Sequence, residues 1–248
     1  MTGPHNSILK SPSAWRYAVL EHLVCWVHRE NYIEGNINKI HETKYFWQVF
    51  LYYYNLSRNF KRGENDENIK KVFEIFETAK IPQSDSDFFR GVRLICERVL
   101  SLDDQIVRPH EKIGGPKSAA SKVLFNKNPY FGFIFDSRAS KSLKSIRKNI
   151  PISKISVGFD FDVFYEEYAK QFFPVRDLMQ GILDDYGLIP GMTAGRIVDK
   201  LLYLGGGSLI EESERILDSS AALVMFESCN EAATEVGAKI SKIFEETL

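Results

Sequence analysis

The spacing of hydrophobic residues predicts a mainly α-helical protein. Apolar side chains recur three and four residues apart along most of the chain, whereas few segments alternate as a half-buried β-strand does. Glycine-containing stretches interrupt this pattern at residues 187–191 and 205–207, where we expect helices to end. With 248 residues, of which 44% are hydrophobic, the chain can bury one large core or two smaller ones.

Four apolar stripes in the first hundred residues each predict one helix. Residues 11–13, Ser-Pro-Ser, are a start signal for the first of them. The stripes are Trp15, Val19, His22, Leu23 and Trp26; Phe46, Val49, Phe50 and Tyr53; Ile69, Val72, Phe73 and Phe76; and Phe88, Val92, Ile95 and Val99. Because His22 lies on an apolar face, we expect it to be a packed residue rather than a metal ligand.

The second half of the chain continues the helical pattern. Helices are predicted near residues 137–148, 160–173 and 175–186, and a long helical pattern runs from 209 to about 247. The paired acids at 184–185 and 211–212 have no neighbouring ligand cluster, so we interpret them as solvated helix faces.

Positive charge is concentrated in the middle of the chain. Residues 108–154 contain eleven lysines and arginines but only two acidic residues, a local charge of +9 in a chain of net charge −1. A block of this kind is typical of a surface that binds nucleic acid. A solvated charged surface is the alternative.

A glycine turn followed by a lysine lies inside this basic block. Gly114 and Gly115 allow backbone N–H groups to hold a phosphate, and Pro116 favours helix entry next to Lys117. Nineteen residues after this lysine, Asp136 stands before a serine, where it is expected to cap a helix whose dipole favours the ionised carboxylate. An anion site, an amine and a carboxylate together make a usable catalytic constellation.

These residues resemble the helix-hairpin-helix DNA glycosylase superfamily, which includes endonuclease III and the 8-oxoguanine glycosylases. The resemblance covers the glycine hairpin, the lysine, an apolar helix and the run Ile-Phe-Asp-Ser-Arg-Ala at 134–139. It implies a mainly α, two-lobed architecture with a catalytic cleft between the lobes. Residues 1–100 would contribute to lobe one, 101–186 would form the central lobe, and 187–248 would pack back on lobe one.

The resemblance also implies a chemistry. Lys117 corresponds to the lysine that forms a Schiff base in bifunctional members, and Asp136 corresponds to the catalytic aspartate. Lys122 remains a second candidate for the nucleophile. The expected DNA-binding residues are Lys112, Gly114, Gly115, Arg138, Lys141 and Lys144.

A glycosylase must also hold the base that leaves the stack, and aromatic side chains suit that role. The residues we expect in such a base pocket are Trp47, Gln48, Tyr130 and Phe131. For each aromatic member, packing in the core is the alternative.

The expected protein is a monomeric, cytoplasmic enzyme that excises a damaged or modified base from double-stranded DNA. The lysine-to-aspartate interval resembles that of enzymes acting on oxidised purines, and a hypermodified phage cytosine is the alternative substrate base. Both DNA repair and phage defence are therefore candidate roles.

We expect no metal or cofactor, because the scattered cysteines and histidines match no metal motif and no Cys-rich tail could hold an iron-sulfur cluster. The N-terminus lacks an apolar signal segment, and no apolar run is long enough to span a membrane. Two other functions remain, namely a non-catalytic nucleic-acid-binding helical protein and a helical protein whose cationic segment meets an acidic partner.

Overall fold

The computed structural model describes residues 8–40, 45–56, 60, 66–102, 116–188, 191–205 and 227–247. Within these ranges the protein is mainly helical and no β-strand occurs, which confirms the prediction of a mainly α protein. The α-helices are α1 (Pro12–Cys25), α2 (Asn31–Asn36), α3 (Tyr45–Tyr53), α4 (Asp66–Glu77), α5 (Asp85–Leu100), α6 (Lys117–Lys127), α7 (Ser137–Lys148), α8 (Phe161–Phe172), α9 (Arg176–Tyr186), α10 (Ala194–Gly205) and α11 (Glu227–Thr247). A π-helical turn spans Trp26–Glu30, and short 3-10 turns span Ile152–Lys154 and Phe173–Val175.

The chain divides into two compact units. The terminal unit contains Met1–Val27 and Asp136–Leu248, and the middle unit contains His28–Phe135. The expected boundaries were at residues 100 and 186, whereas the division between these units falls between Val27 and His28 and between Phe135 and Asp136.

The core of the terminal unit forms where α1 packs on α11. The rings of Trp15 and Phe244 stack with their centres 5.3 Å apart, and both side chains are fully buried. Gly237 permits this approach, since a Cβ atom there would lie 2.5 Å from the carbonyl oxygen of Pro12 and 2.7 Å from the backbone nitrogen of Arg16. His22 is fully buried in the same helix α1, which confirms that it is a packed residue.

The core of the middle unit is an aromatic cluster built from α3 and α4. The indole of Trp47 lies at its centre, edge-on to Phe50 at 5.5 Å and stacked with Phe73 at 6.3 Å between ring centres. Aromatic rings favour these edge-on and offset arrangements, because their faces are negative and their edges positive.

Helix α6 lies in the interior of the middle unit. All nine residues from Ala119 to Lys127 are buried, although four of them are polar. Buried polar groups are costly without hydrogen-bond partners. The four are Ser121, Lys122, Asn126 and Lys127. The partners of these residues therefore determine how α6 is held in the unit.

Candidate functional site

The first part of the candidate site is the beginning of α6. Lys117 is the first residue of this helix, as the sequence predicts. Pro116 occupies the position just before the helix rather than inside it, and its carbonyl oxygen accepts a hydrogen bond from the Ala120 N–H at 2.9 Å. The expected hairpin residues Lys112, Gly114 and Gly115 lie outside the described residues.

The two candidate nucleophiles have different surroundings. Lys117 is half-buried at the helix start, whereas Lys122 is only 5% exposed. The Nζ atom of Lys122 donates a hydrogen bond to Ser118 Oγ at 2.9 Å, one turn earlier on α6. Since five residues rotate a helix by about 500°, the two lysines lie about 140° apart around its axis. They therefore belong to different faces of α6.

The connection between α6 and α7 is held to the middle unit at several points. Asn128 donates from its side chain to the carbonyl oxygen of Pro82 at 2.9 Å. The N–H of Gly132 donates to Asp85 Oδ1 at 2.9 Å, and its φ of 82° with the Phe88 ring against its Cα leaves no room for a side chain. These contacts give the segment that leads toward Asp136 a defined path.

Asp136 caps α7, as the sequence predicts. Its backbone is extended, and its Oδ1 atom accepts hydrogen bonds from the N–H groups of Arg138 at 2.9 Å and Ala139 at 2.8 Å. The carboxylate is thus held at the positive end of the helix dipole, the position that favours a negative charge.

Helix α7 carries five cations and no acidic residue. Three of the five are exposed and two are half-buried, and they occupy the solvent side of the helix opposite its buried residues. The cations are Arg138, Lys141, Lys144, Arg147 and Lys148.

Two of the predicted DNA-binding cations make contacts within the terminal unit. The guanidinium of Arg138 lies 4.7 Å from the centre of the Tyr203 ring, a cation–π contact with a partly exposed tyrosine. The Nζ atom of Lys144 donates to the carbonyl oxygen of Val157 at 2.9 Å. Lys144 therefore holds the segment that follows α7. Lys141 is half-buried on the same helix.

The residues predicted for a base pocket separate into surface and core. Gln48 is exposed on α3, Tyr130 is 53% exposed, and Phe131 is half-buried in the connection before α7. Trp47 is 1% exposed, and its indole N–H donates to Glu77 Oε1 at 2.8 Å. Trp47 is therefore a core residue, because both its ring and its polar atom are used inside the middle unit, and we omit it from the proposed pocket.

The sequence-predicted residues divide between the two units. The middle unit contains the candidate nucleophiles Lys117 and Lys122 together with the base-pocket candidates. The terminal unit contains Asp136 and the cations of α7. The break between the units falls at Phe135 and Asp136, inside the pattern on which the resemblance rests.

Helix α10 and its buried cations, Arg196 and Lys200, were not predicted from the sequence. Thr193 caps this helix, with its Oγ1 accepting from the Arg196 N–H at 3.3 Å, and Ile197 and Leu201 are buried one turn apart. A threonine followed by apolar residues four apart is a recognisable start signal that could have found the helix. The 2% exposure of the Arg196 side chain follows from tertiary packing alone.

In the part of the chain that the structure describes, no cluster of three or more histidine, cysteine, aspartate or glutamate side chains could hold a metal ion. None of the helices in those ranges is both long and apolar enough to cross a membrane.

Comparisons of the chain with protein families, with curated proteins and with solved structures found no match.

Proposed function

We propose that this protein is a DNA glycosylase that flips a damaged or modified base out of double-stranded DNA and cleaves its N-glycosidic bond. The observation that carries the proposal is Asp136, whose carboxylate is held at the start of α7 by two backbone N–H groups and is followed by a helix with five cations. A fixed carboxylate beside a phosphate-binding surface is what bond cleavage at a nucleotide sugar requires.

The proposed chemistry needs a negative charge and a nucleophile. Positive charge develops on the sugar as the base departs, and Asp136 stabilises it electrostatically. The side-chain amine of Lys117 or Lys122 attacks C1′ while the bond from C1′ to the base nitrogen breaks. The base leaves with the bonding electron pair and takes up a proton, and the lysine-bound sugar rearranges to a Schiff base. In the monofunctional form of the proposal, water replaces the lysine as nucleophile.

Other residues serve DNA binding and recognition of the base. The cations of α7 contact DNA phosphates, and Gln48, Tyr130 and Phe131 are candidates to contact the extruded base. We also propose the two-lobed architecture with a catalytic cleft that the glycosylase resemblance implies, together with a monomeric state and a cytoplasmic location. Oxidised purines and a hypermodified phage cytosine are the candidate bases, and DNA repair and phage defence are the corresponding roles.

A second function is supported by the same helix. The two hydrogen bonds that Asp136 accepts give it a complete role as a helix cap, and the cations of α7 suffice for phosphate contacts. A non-catalytic nucleic-acid-binding protein would need these two features and no nucleophile.

A base-release assay distinguishes the two functions. The full chain is incubated with genomic DNA, with DNA containing oxidised purines and with phage DNA containing hypermodified cytosine, and free bases are identified by mass spectrometry. Release of one base class supports the glycosylase. Salt-sensitive DNA binding without any release supports the binding protein, and absence of binding at low salt contradicts both.

A further inference from the structure

Ser121 joins α6 to the chain segment that precedes Asp136. It is fully buried in α6, and its Oγ atom accepts a hydrogen bond from the Phe135 N–H at 3.0 Å. The hydroxyl also lies 3.1 Å from the carbonyl oxygen of Ser118, to which it can donate. The Ser121 hydroxyl thus connects α6, the helix that carries Lys117 and Lys122, to Phe135, the residue immediately before Asp136.

The hydrogen bond between Ser121 and Phe135 lies one residue before Asp136 along the chain. Peptide bonds are planar, so only the φ and ψ torsions of Phe135 separate its fixed N–H from the Cα atom of Asp136. Beyond that point the carboxylate is held by the N–H groups of Arg138 and Ala139. Ser121 therefore holds the backbone N–H of the residue immediately before Asp136.

The rest of the connection is anchored without Ser121. Phe133 is buried against Phe88 with ring centres 5.3 Å apart, Ile134 is 6% exposed, and the N–H of Gly132 is bound by Asp85. These contacts hold the segment in the core, so loss of the Ser121 bond alters the end of the connection more than its packing.

We propose that Ser121 is a positioning residue for Asp136 in the glycosylase reaction. This inference rests on the proposed function. Ser121 touches neither sugar nor base; it acts through the backbone of Phe135 to hold the carboxylate at the place where positive charge develops. Because a misplacement of about 1 Å can cost about 10²-fold in rate, loss of a single hydrogen bond at this point is expected to slow base release.

The test compares Ser121→Ala with Ser145→Ala. Ser145 is a matched control, since it is also a buried helical serine whose hydroxyl bonds a backbone oxygen, that of Ile150 at 2.5 Å. Single-turnover base release, DNA affinity and the thermal unfolding midpoint are measured for both variants. We expect Ser121→Ala to slow release at least about 10-fold relative to Ser145→Ala, with affinity and midpoint similar in the two.

A double substitution separates positioning from a general loss of structure. If Ser121 acts through Asp136, then Ser121→Ala causes no further loss in an Asp136→Asn background. Two results would overturn the inference while leaving the glycosylase proposal intact. One is that Ser121→Ala reduces the rate of base release by the same factor in the wild-type and Asp136→Asn backgrounds. The other is that Ser121→Ala releases base at the same rate as Ser145→Ala. Absence of release by the wild-type chain on every DNA offered would remove both. Should Ser121→Ala fail to fold, Ser121→Cys keeps the volume with a weaker acceptor, and the same comparisons apply to it.

Discussion

The Nζ atom of Lys127 donates a hydrogen bond to the carbonyl oxygen of Glu77 at 3.0 Å, so the last residue of α6 closes the C-terminal end of α4. A second bond from the same atom reaches the carbonyl oxygen of Ala79 at 2.9 Å. Carbonyl groups at a helix end lack helical N–H partners and carry partial negative charge, which a cation complements. The ammonium group therefore joins two helices of the middle unit.

Replacing Lys127 with methionine is expected to destabilise the protein. Hydrogen bonds from charged groups contribute about 1.5 to 3 kcal/mol, so the free energy of unfolding should fall by about 2 kcal/mol in urea denaturation. Lys242→Met is the control, since Lys242 is exposed and forms a surface pair with Glu246 at 3.7 Å. It should change stability by less than about 1 kcal/mol. Equal unfolding free energies for the two variants would contradict this account of Lys127.

Burial of Lys127 also predicts a pH dependence in the alkaline range. Burial lowers the pKa of Lys127 below its ordinary 10.5, although the charge of Glu77 acts in the opposite direction. Between the folded-state pKa and 10.5 the unfolded chain binds more protons, so this group makes stability rise with pH there. Below the folded-state pKa both states are protonated and the group contributes no slope.

Urea denaturation across this window provides the measurement. The unfolding free energy of the wild type minus that of Lys127→Met should increase as the pH approaches 10.5 from neutrality. A difference that stays constant or decreases over the same range would show that burial does not lower the pKa of this lysine.

Asp136→Asn tests the proposed electrostatic role of the carboxylate. Asparagine caps helices about as well as aspartate, so folding and DNA affinity should remain nearly unchanged. Loss of the charge should reduce base release at least about 10²-fold, measured in single turnover. Asp160→Asn is a matched control, because Asp160 caps α8 in the same way, with its Oδ1 accepting from the Val163 N–H at 3.0 Å. Equal release rates for the two variants would leave Asp136 as a helix cap only.

Borohydride trapping distinguishes the two candidate lysines. If Lys117 forms the Schiff base, a covalent adduct with DNA should form with the wild type and with Lys122→Met but not with Lys117→Met. Methionine is chosen at Lys122 because that side chain is buried and needs its volume replaced. Trapping that survives in Lys117→Met and is lost in a folded Lys122→Met assigns the reaction to Lys122. Base release without trapping indicates a water nucleophile.

Salt dependence tests the cationic face of α7. Each phosphate contact contributes about 0.9 to the slope of log affinity against log salt, so Lys141→Glu with Lys148→Glu should reduce the slope by about 2 and weaken binding to all sequences alike. Lys144 is avoided here because it also holds the Val157 carbonyl. The control pair Lys80→Glu with Lys242→Glu has the same charge change on exposed lysines outside the basic block. A wild-type slope near zero, or equal slopes in the two pairs, would argue against this surface.

The sequence by itself determined the helical fold class and several helix limits. The prediction for residues 137–148 coincides with α7, including its cap at Asp136, because a cap is formed by an aspartate and N–H groups two and three residues later. The predictions near 160–173 and 175–186 likewise agree with α8 and α9 within a residue or two at each end. Such features depend on interactions within one or two turns, which neighbouring residues specify.

Only the tertiary structure decided the surroundings of the polar and aromatic side chains. Trp47 and Gln48 are adjacent in sequence and were predicted for one pocket, yet one lies in the core and the other faces solvent. Lys127 meets Glu77 across fifty residues, and Ser121 meets Phe135 across fourteen. Burial and long-range hydrogen bonding depend on which elements pack together, and spacing along a single helix contains no information about the partner on its other side.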